Sequence, residues 1–376
     1  MEPSGTPIRA RRIAAGISQA GLAARAGISR QAYSSIEHGS ATPATDVALR
    51  LARVLGASVE ALFGDGAQPD ATGTPDGALL TTPLADGRPM RADVHRVGKR
   101  WIARPLAGTP QHPAIVRSLP VANALIHGTV GADGASVDEL LSPPAGRSIV
   151  VVGCDPSVAV VAAHLAERGV ALSWHEMGSV AALRELAAGN AHVAGCHLLD
   201  PQTRQYNLPA VVRYLPFPTT VVTFAVWDQG LLAAPGNPKR IRGVEDLSRP
   251  GIFMVNREEG SGSRALLNEA LSQAGVPIES VAGYDRSAYS HLSVAEAVGM
   301  GLVDTGVAVR AAAIALGLDF VPLGQERYDL VIPNHFLDEP AIVELLSALR
   351  RPALRRQIEA LGGYDVASMG VEPAAA

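Results

Sequence analysis

Serine and glycine residues stand at three predicted helix starts, each of which follows a strand in the second half of the chain. They are Ser157, Ser179 and the turn formed by Ser261, Gly262, Ser263 and Arg264. Free N–H groups and the positive end of the helix dipole favour a negative ligand at such a position, while serine adds a hydroxyl donor. A single serine before a helix is usually only an N-cap, so the pattern predicts an anion site if the three starts converge on one cleft.

Two arginines beside the third turn leave the class of anion open. Arg257 and Arg264 would suit a phosphate or a carboxylate bidentately, whereas several neutral donors would suit a dehydrated tetrahedral oxyanion. Either arginine could instead pair with Glu258 or Glu259. The sequence therefore predicts negative charge in the ligand without choosing its chemistry.

The two cysteines of the chain, Cys154 and Cys196, each follow a glycine at the end of a predicted strand. With His175, His197 and His291 they could form a soft-metal site. None of the usual close ligand spacings is present, and small cysteines packed at strand ends are commoner, so we expect no metal ligands. The polar residues that we instead expect to line the cleft are His197, Tyr206 and His291.

The motifs of several enzyme classes are missing. The sequence contains no nucleophile elbow, Walker loop, zinc-protease helix or dinucleotide fingerprint. We therefore expect no catalytic residue and no cofactor.

The first 64 residues predict a helical bundle. Helices are expected at about 7–15, 18–26, 29–37, 45–55 and 58–63, with Ser18, Ser29 and Thr45 at their starts. Apolar residues at helical spacing predict a small core made of Ile13, Leu22, Ala23, Ile28, Ile36, Leu49, Leu51, Ala52, Leu55 and Leu62.

The second and third of these helices flank a glycine turn, in the segments 17–23 and 27–39. This pattern resembles the helix-turn-helix of the lambda-repressor and Cro type (the XRE family) over about residues 8–63. In such a motif the second helix lies in the major groove, where Arg and Gln suit guanine and adenine edges. The candidate DNA-binding residues are Gln19, Ser29, Arg30, Gln31, Ser34 and Ser35.

Two further roles are implied by that resemblance alone: Gln19 would cap its helix onto a phosphate, and Arg12 would form an internal ion pair with Glu37. Sparse basic charge implies weak binding by one copy, so a homodimer on two half-sites of a double-stranded operator is expected. The alternative is that the exposed polar residues only solvate a bundle that binds protein.

Composition and charge limit the class of protein. Residues 1–64 carry seven arginines against four acids, and the rest carries 25 basic against 32 acidic residues. Hydrophobic residues make up 47% of the 376 residues, which excludes a disordered chain and allows two or three globular domains. The absence of a secretory signal, of a long apolar stretch and of further cysteines predicts a cytoplasmic protein with no membrane partner.

Beyond the bundle, residues 65–78 have a linker composition, and residues 79–146 form a connecting region in which Val94–Pro105 predicts a hairpin turning at Gly98 and Lys99. Residues 147–376 alternate strands with helices, which predicts a mostly parallel sheet with ligands at the carboxyl ends of its strands. Expected strands are 148–153, 172–175, 192–195, 211–215, 220–226, 230–234, 252–255 and 319–322. Expected helices are 157–168, 179–188, 263–274, 292–300, 307–316, 339–349 and 352–361.

The body resembles the periplasmic-binding-protein-like domains related to molybdate and tungstate binding proteins, over about residues 147–365. The likeness rests on the segments 153–157, 178–179, 197–200, 206–207, 229–231, 236–238, 256–264 and 328–330. It implies a second lobe at about 236–318 and hinges near 226–236 and 318–333. The candidate ligand-binding residues are Asp155, Ser157, Ser179, His197, Arg257, Ser261, Gly262, Ser263 and Arg264.

The expected fold class is therefore multidomain, with an all-α helix-turn-helix head and an α/β two-lobed periplasmic-binding-protein-like (type II) body. The expected function is a ligand-responsive transcription regulator, in which a small anion such as molybdate, tungstate or a molybdenum-cofactor-related molecule acts as effector. The alternatives are an enzyme or carrier in molybdenum-cofactor assembly and a protein-interaction adaptor.

Overall fold

The computed structural model describes residues 7–57, 59–63, 77–81, 89–106, 122–127, 134–142 and 146–373. The chain divides into two compact units, residues Met1–Thr72 and Gly73–Ala376, which are described separately. Most of the expected linker, 65–76, lies outside the described residues, but Gly77 and Ala78 belong to a strand.

The first unit is the helical head. Its helices are α1 (Pro7–Ala14), α2 (Gln19–Ala26), α3 (Arg30–Glu37), α4 (Thr45–Leu55) and α5 (Val59–Phe63). The hydroxyls of Ser18 and Ser29 cap α2 and α3 by accepting hydrogen bonds from the N–H groups of Gly21 and Ala32. Gly27 ends α2 in the left-handed conformation that glycine adopts easily, with φ of 66°. The Gly-closed helices of the sequence are therefore present.

Three expectations for the head are wrong. Thr45 is the first residue of α4, and Ala44 occupies the cap position without a side-chain hydrogen bond. Ile13 and Leu49, expected in the core, are 58% and 52% exposed. The core instead contains Ile8 and Tyr33, because the buried stripe of each short helix covers only one face.

The second unit begins with a small barrel. Among the described residues, strands β1 (Gly77–Leu80), β2 (Met90–Val97), β3 (Arg100–Pro105), β4 (Ala124–His127) and β5 (Gly134–Leu140) close in the order β1-β3-β2-β4-β5. The expected hairpin is the antiparallel pair of β2 and β3. Small residues fill the barrel interior, where Ala92, Ala103 and Ala124 are completely buried beside Val94 and Ile126.

The body follows with an α/β architecture. Its strands are β6 (Ser148–Gly153), β7 (Ala171–Glu176), β8 (Val193–Cys196), β9 (Thr219–Ala233), β10 (Met254–Arg257), β11 (Ser287–Ala288), β12 (Thr305–Val309), β13 (Asp319–Pro333) and β14 (Tyr364–Asp365). Its helices are α6 (Val158–Ala166), α7 (Ser179–Ala187), α8 (Leu208–Tyr214), α9 (Gly262–Gln273), α10 (His291–Gly299), α11 (Arg310–Leu316), α12 (Pro340–Leu349) and α13 (Pro352–Glu359).

The sheet of the body is mixed, which corrects the expectation of a mostly parallel one. Within the described residues it has nine strands in the order β11-β10-β12-β9-β13-β8-β6-β7, with β14 paired to β9. Strands β6, β7 and β8 are parallel, as are β10, β11 and β12. Between these two groups run the antiparallel strands β9 and β13, each 15 residues long. They connect the two lobes.

Several boundaries in the body were wrong. Residues 211–215 lie in or directly after helix α8 rather than in a strand, and 305–309 form strand β12 before helix α11. The expected strands 220–226 and 230–234 are one continuous strand. A fully buried apolar segment has no periodicity that separates a helix from a strand, which is why both segments were misassigned.

Each lobe is held by apolar packing. One core cluster extends from β6, β8, α6 and α7 through the long strands to α10 and α11. A second, smaller cluster lies under α9 and includes Leu231, Met254 and Leu267. Among the described residues, no helix combines the length and apolar character needed to cross a membrane.

Candidate functional site

The carboxyl ends of β6, β8 and β10 and the starts of α6, α7, α9 and α10 meet between the two lobes, in a region that we call the cleft. The cleft residues are contributed by both lobes and by the long strands that join them. They are Cys154, Asp155, Ser157, Ser179, His197, Trp227, Gln229, Arg257, Ser261, Ser263, His291, Glu326 and Tyr328, and each is buried.

Direct contacts join the starts of α7 and α9 across the cleft. The backbone N–H of His197 donates to the Ser179 hydroxyl at 3.2 Å, and the N–H of Val180 donates to the Gly260 carbonyl at 3.3 Å. Gly262 packs so closely on His197 that a Cβ at this position would clash with its carbonyl and ring. Glycine is therefore required where the two lobes approach.

Hydrogen-bond donors without a partner are concentrated in this region. Among the described residues, buried donor atoms that make no hydrogen bond include Ser157 Oγ, Trp227 Nε1, Gln229 Nε2, Arg257 Nη1 and Tyr328 OH. A buried polar group without a partner costs about 1–3 kcal/mol, and native proteins leave few of them. Such a set of donors matches a ligand that accepts several hydrogen bonds.

Arg257 brings positive charge into the cleft. Its side chain is fully buried, and Nε and Nη2 donate to the two carboxylate oxygens of Glu258 at 2.9 and 3.0 Å. Burial disfavours the charge, but the adjacent Glu258 carboxylate keeps the pKa of Arg257 above its usual value. Arg257 thus pairs with Glu258, as the alternative reading allowed, while Nη1 makes no hydrogen bond among the described residues.

Arg264 differs from Arg257 in its surroundings. Its guanidinium lies 4.9 Å from the ring centroid of Tyr284, and Nη1 donates to the Arg257 carbonyl at 3.2 Å. These contacts place the guanidinium against the second lobe and give it a supporting role for the turn that carries Arg257.

The α9 turn and the α6 turn position the remaining serines. Ser261 caps α9 by accepting from the Arg264 N–H at 3.3 Å, and Ser263 Oγ donates to Gln229 Oε1 at 3.2 Å. In the α6 turn, Asp155 Oδ1 accepts from the Ser157 N–H at 2.8 Å.

Asp155 also accepts a hydrogen bond of 2.7 Å from the Tyr364 hydroxyl. Burial raises the pKa of Asp155 to about 6. Its carboxyl therefore anchors the α6 turn from inside the protein.

The histidines of the cleft have different charge states. Burial, followed by the charges of Arg257 and His197, lowers the pKa of His291 well below its usual value, which makes it a neutral imidazole. Burial also disfavours charge on His197, but Cys154 and Glu326 outweigh that effect and raise its pKa to about 10. Burial raises the pKa of the adjoining Glu176 to about 7.

Aromatic rings enclose the cleft, and the sequence gave little sign of most of them. The Trp227 ring lies 4.7 Å from Tyr328, 5.0 Å from His197 and 5.4 Å from His291 between centroids. Trp227, Gln229, Glu326 and Tyr328 lie on β9 and β13, which the sequence divided into shorter strands or left unassigned. Recognising the two crossing strands would have placed these residues.

Two other expected residues lie elsewhere. The Tyr206 hydroxyl donates to the Gln325 carbonyl at 3.1 Å, in a half-buried position away from the ring cluster. His175 contacts Asp93 of the barrel, with Nε2 3.3 Å from Oδ2. Neither lines the cleft.

The cysteines are both fully buried and free. Cys154 Sγ lies 3.3 Å from His197 Nε2. Burial raises the pKa of Cys196 well above its usual value, so Cys196 is a protonated thiol.

In the head, α3 presents its polar residues outward and buries Tyr33, Ile36 and Glu37. Arg30 and Gln31 are exposed, and Ser34 and Ser35 are half-buried. Ser29 caps the start of the same helix. The described geometry therefore leaves the expected base-reading residues accessible.

A buried ion pair fixes α3 to the other helices. Arg12 Nη2 lies 2.7 Å from Glu37 Oε1, which confirms the expected pair, and Gln19 Nε2 donates to Glu37 Oε2 at 2.8 Å. Burial alone would raise the pKa of Glu37, but the hydrogen bonds from Arg12 and Gln19 lower it. The side chain of Gln19 thus contributes to the internal network, and its phosphate contact stays a prediction.

Two family models match the chain. A helix-turn-helix model matches residues 8–62, and a PBP superfamily domain model matches residues 162–350, about half of the chain. The chain is 33% identical over 231 residues to the uncharacterized protein YvgK of Bacillus subtilis (strain 168), covering 60% of this chain and 74% of that protein. It is also 33% identical over 106 residues to an uncharacterized protein in the ferredoxin 2Fe-2S gene 5′ region of Clostridium pasteurianum, covering 28% of this chain and 94% of that protein.

Solved structures with a similar body include three solute-binding proteins. They are a putative phosphate ABC transporter substrate-binding protein from Clostridium perfringens with bound phosphate (TM-score 0.45, 13% identity, 61% of this chain, 100% of that one), the sulfate-binding protein SubI from Mycobacterium tuberculosis H37Rv (0.45, 17%, 58%, 86%) and the tungstate ABC transporter from Geobacter sulfurreducens (0.45, 14%, 57%, 99%).

Proposed function

Because the chain belongs to the PBP superfamily and joins that domain to a helix-turn-helix head, we propose that it is a ligand-responsive transcription regulator. The head binds a double-stranded DNA operator, and the cleft binds a small anion that changes the grip of the head on DNA. The observation that carries this proposal is the set of buried donors without partners in the cleft of a chain that also exposes Arg30 and Gln31 on its DNA-reading helix.

The proposed effector is an oxyanion, either molybdate or tungstate, or an anionic molecule related to the molybdenum cofactor. Support comes from the neutral donors Ser157 Oγ, Trp227 Nε1, Gln229 Nε2 and Tyr328 OH, which can distribute charge over several oxygens. Arg257, already neutralised in part by Glu258, adds one guanidinium N–H. The site therefore suits an anion stripped of water.

The switch would operate through β9 and β13. These strands cross between the lobes, and the β9–β13 pairing has register shifts at Pro322/Gly324 and Tyr328/Asp329, inside the proposed hinge 318–333. A ligand that closes the lobes shifts the population only by its difference in affinity for the two arrangements, and a change from 1:99 to 99:1 needs about 5.5 kcal/mol. We propose a cytoplasmic homodimer whose paired heads contact two half-sites.

Anion binding is tested by thermal unfolding of the full chain with molybdate, tungstate, sulfate and phosphate. A specific anion at about 100 times its Kd should stabilise the folded state by about 2.7 kcal/mol. Arg257→Met should abolish that stabilisation, whereas Arg240→Met, which changes an exposed arginine of the same lobe, should preserve it. Equal responses of both variants and the wild type would rule out the cleft as the anion site.

DNA reading is tested on an operator selected from random DNA by the full chain. Arg30→Ala should reduce discrimination between the operator and random DNA by about 1–3 kcal/mol, since a bidentate base contact contributes that much. Arg53→Ala, which removes an exposed charge from α4, should leave the discrimination unchanged. If no sequence is enriched, the head does not read DNA.

A further inference from the structure

Three residues with metal-binding side chains meet on the floor of the cleft. Cys154 follows β6, His197 follows β8 and His291 begins α10, and all three are fully buried. One ligand atom from each lies within 4.8 Å of the other two. We propose that these residues, called the Cys-His-His trio below, bind a borderline metal ion, for which Zn²⁺ is the best chemical match. This inference goes beyond the proposed anion response and replaces the expectation of no metal ligands.

The distances within the trio are close to those of a metal site. Zinc bonds of about 2.3 Å to sulfur and about 2.0 Å to nitrogen, at tetrahedral angles, place the ligand atoms about 3.5 Å apart. Cys154 Sγ and His197 Nε2 are already 3.3 Å apart. Only His291 has to approach, by a rotation of its side chain.

His291 provides the independent sign of a ligand. Its ring is fully buried, and neither Nδ1 nor Nε2 makes a hydrogen bond among the described residues. A buried imidazole normally satisfies at least one nitrogen, because an unpaired polar group is costly to bury. Its rotation toward a metal would break no hydrogen bond of the ring, and coordination would satisfy one nitrogen.

Glu326 gives His197 the support that metal-binding histidines usually have. Its Oε2 lies 2.8 Å from His197 Nδ1, which leaves Nε2 directed toward Cys154. A carboxylate that accepts from the second ring nitrogen fixes the tautomer and increases the basicity of the ligand atom. Together, a Cys154 thiolate and the Glu326 carboxylate would balance the charge of a divalent ion, while Arg257 is paired with Glu258.

The ligand types select among metals. One thiolate and two imidazoles match zinc and related late transition metals better than magnesium or calcium, which prefer oxygen ligands. Zinc held by three protein ligands keeps one position for water or another ligand. Metal binding is therefore compatible with an anion in the same cleft but does not require one.

Cobalt(II) is the probe for this site, since it substitutes for zinc and absorbs light when bound to a thiolate. We expect the EDTA-treated full chain to bind one Co²⁺ with a thiolate-to-cobalt charge-transfer band that Zn²⁺ abolishes by competition. Cys154→Ser should remove the band. Cys196→Ser is the matched control and should retain it, because Cys196 is an equally buried cysteine at the end of β8 that lies outside the trio.

Two further variants distinguish ligation from a general loss of structure. Glu326→Gln should keep the band but weaken Co²⁺ affinity about 10–100-fold, as loss of an outer-shell partner does. His291→Asn should retain a thiolate band with altered visible absorption, because one nitrogen ligand is exchanged for an amide or water. Circular dichroism confirms the fold of each variant before the titration.

The outcomes separate this inference from the proposed function. A wild-type chain without a charge-transfer band, or a Cys154→Ser chain with unchanged Co²⁺ affinity, would overturn the metal site. The oxyanion thermal shift is measured on the metal-free chain, so its failure would count against the anion response and leave the cobalt result standing.

Discussion

His192 shows how one buried side chain can make the protein sensitive to acid. Its Nδ1 accepts a hydrogen bond of 3.0 Å from the Val150 N–H, and its ring packs 5.0 Å from Phe336 between centroids. The nearest carboxylate oxygen, on Glu339, is 3.7 Å from Nε2. Burial, with a smaller effect of His95, lowers the pKa of His192 to about 4.

We predict that His192 destabilises the body as the pH falls from 7.5 to 5. Its pKa in the folded state is below the unfolded value of about 6.5, so the unfolded chain binds more protons in this range and stability rises with pH. The difference at pH 5 is about 2 kcal/mol. His192→Asn, whose amide oxygen can still accept from Val150, should lose about that much less stability between the two pH values in urea unfolding.

The matched control is His335→Asn, which removes an exposed imidazole three residues before Asp338 on the same lobe. It should leave the pH dependence of unfolding unchanged. Equal slopes for His192→Asn and the wild type would show that His192 does not titrate in this range.

At the scale of elements, the sequence predicted what local chemistry determines. Ser18, Ser29 and Gly27 determine helix ends through their own hydrogen bonds and backbone angles, so α2 and α3 were located correctly. The turn at Gly98 likewise located the β2–β3 hairpin.

Tertiary pairing was not readable in the same way. The order of the nine strands depends on contacts between residues far apart in the chain, such as β9 with β13. Leu208–Tyr214 carries an apolar run that fits a buried strand, and only Pro209 in its first turn marked a helix. The same limit applies to the cleft, since Trp227 and Tyr328 enter it only because both long strands cross between the lobes.

The start of α9 should tolerate no side chain at Gly262. A Cβ there clashes with the carbonyl and ring of His197, so Gly262→Ala should push the α9 turn away from the first lobe and weaken oxyanion binding at least about tenfold. Isothermal titration calorimetry measures this change.

Gly299→Ala is the control for that substitution. Gly299 lies inside α10, and a Cβ would lie 3.8 Å from the side chains of Leu316 and Leu318. Alanine should therefore stabilise the helix by about 0.5–1 kcal/mol without changing anion affinity. If Gly262→Ala binds anions as tightly as Gly299→Ala does, close packing of α9 on His197 is not needed for the site.

The contact between the barrel and the first lobe depends on Asp93. Its carboxylate lies 2.6 Å from His95 Nε2 and 3.3 Å from His175 Nε2, and it accepts a hydrogen bond from the Ser173 hydroxyl. Burial would raise the pKa of Asp93, but the hydrogen bonds from His175 and His95 lower it far below its usual value.

Asp93→Asn should therefore lower the free energy of unfolding by about 3 kcal/mol at pH 7, since it leaves largely buried partners without a carboxylate. Asp138→Asn removes a more exposed barrel carboxylate that pairs with His127, and should cost less than about 1 kcal/mol. Urea unfolding of the full chain measures both. Similar losses would mean that Asp93 does not stabilise this contact more than a surface pair does.

For the whole molecule, a regulator that couples an anion to DNA must obey thermodynamic linkage. If the oxyanion changes operator affinity by some factor, the operator must change oxyanion affinity by the same factor. We predict that the two factors, measured by fluorescence anisotropy with labelled operator and by calorimetry with the anion, agree for the wild-type chain.

Variants assign that coupling to its two ends. Arg257→Met should lose the response of operator binding to the anion while the head still binds DNA. Arg30→Ala should weaken operator binding while anion affinity in the absence of DNA stays unchanged. Unequal factors in the wild type would show that the two ligands do not act on one shared equilibrium. Factors that both equal one would show that the cleft and the head bind independently, because a ligand with equal affinity for both arrangements shifts neither.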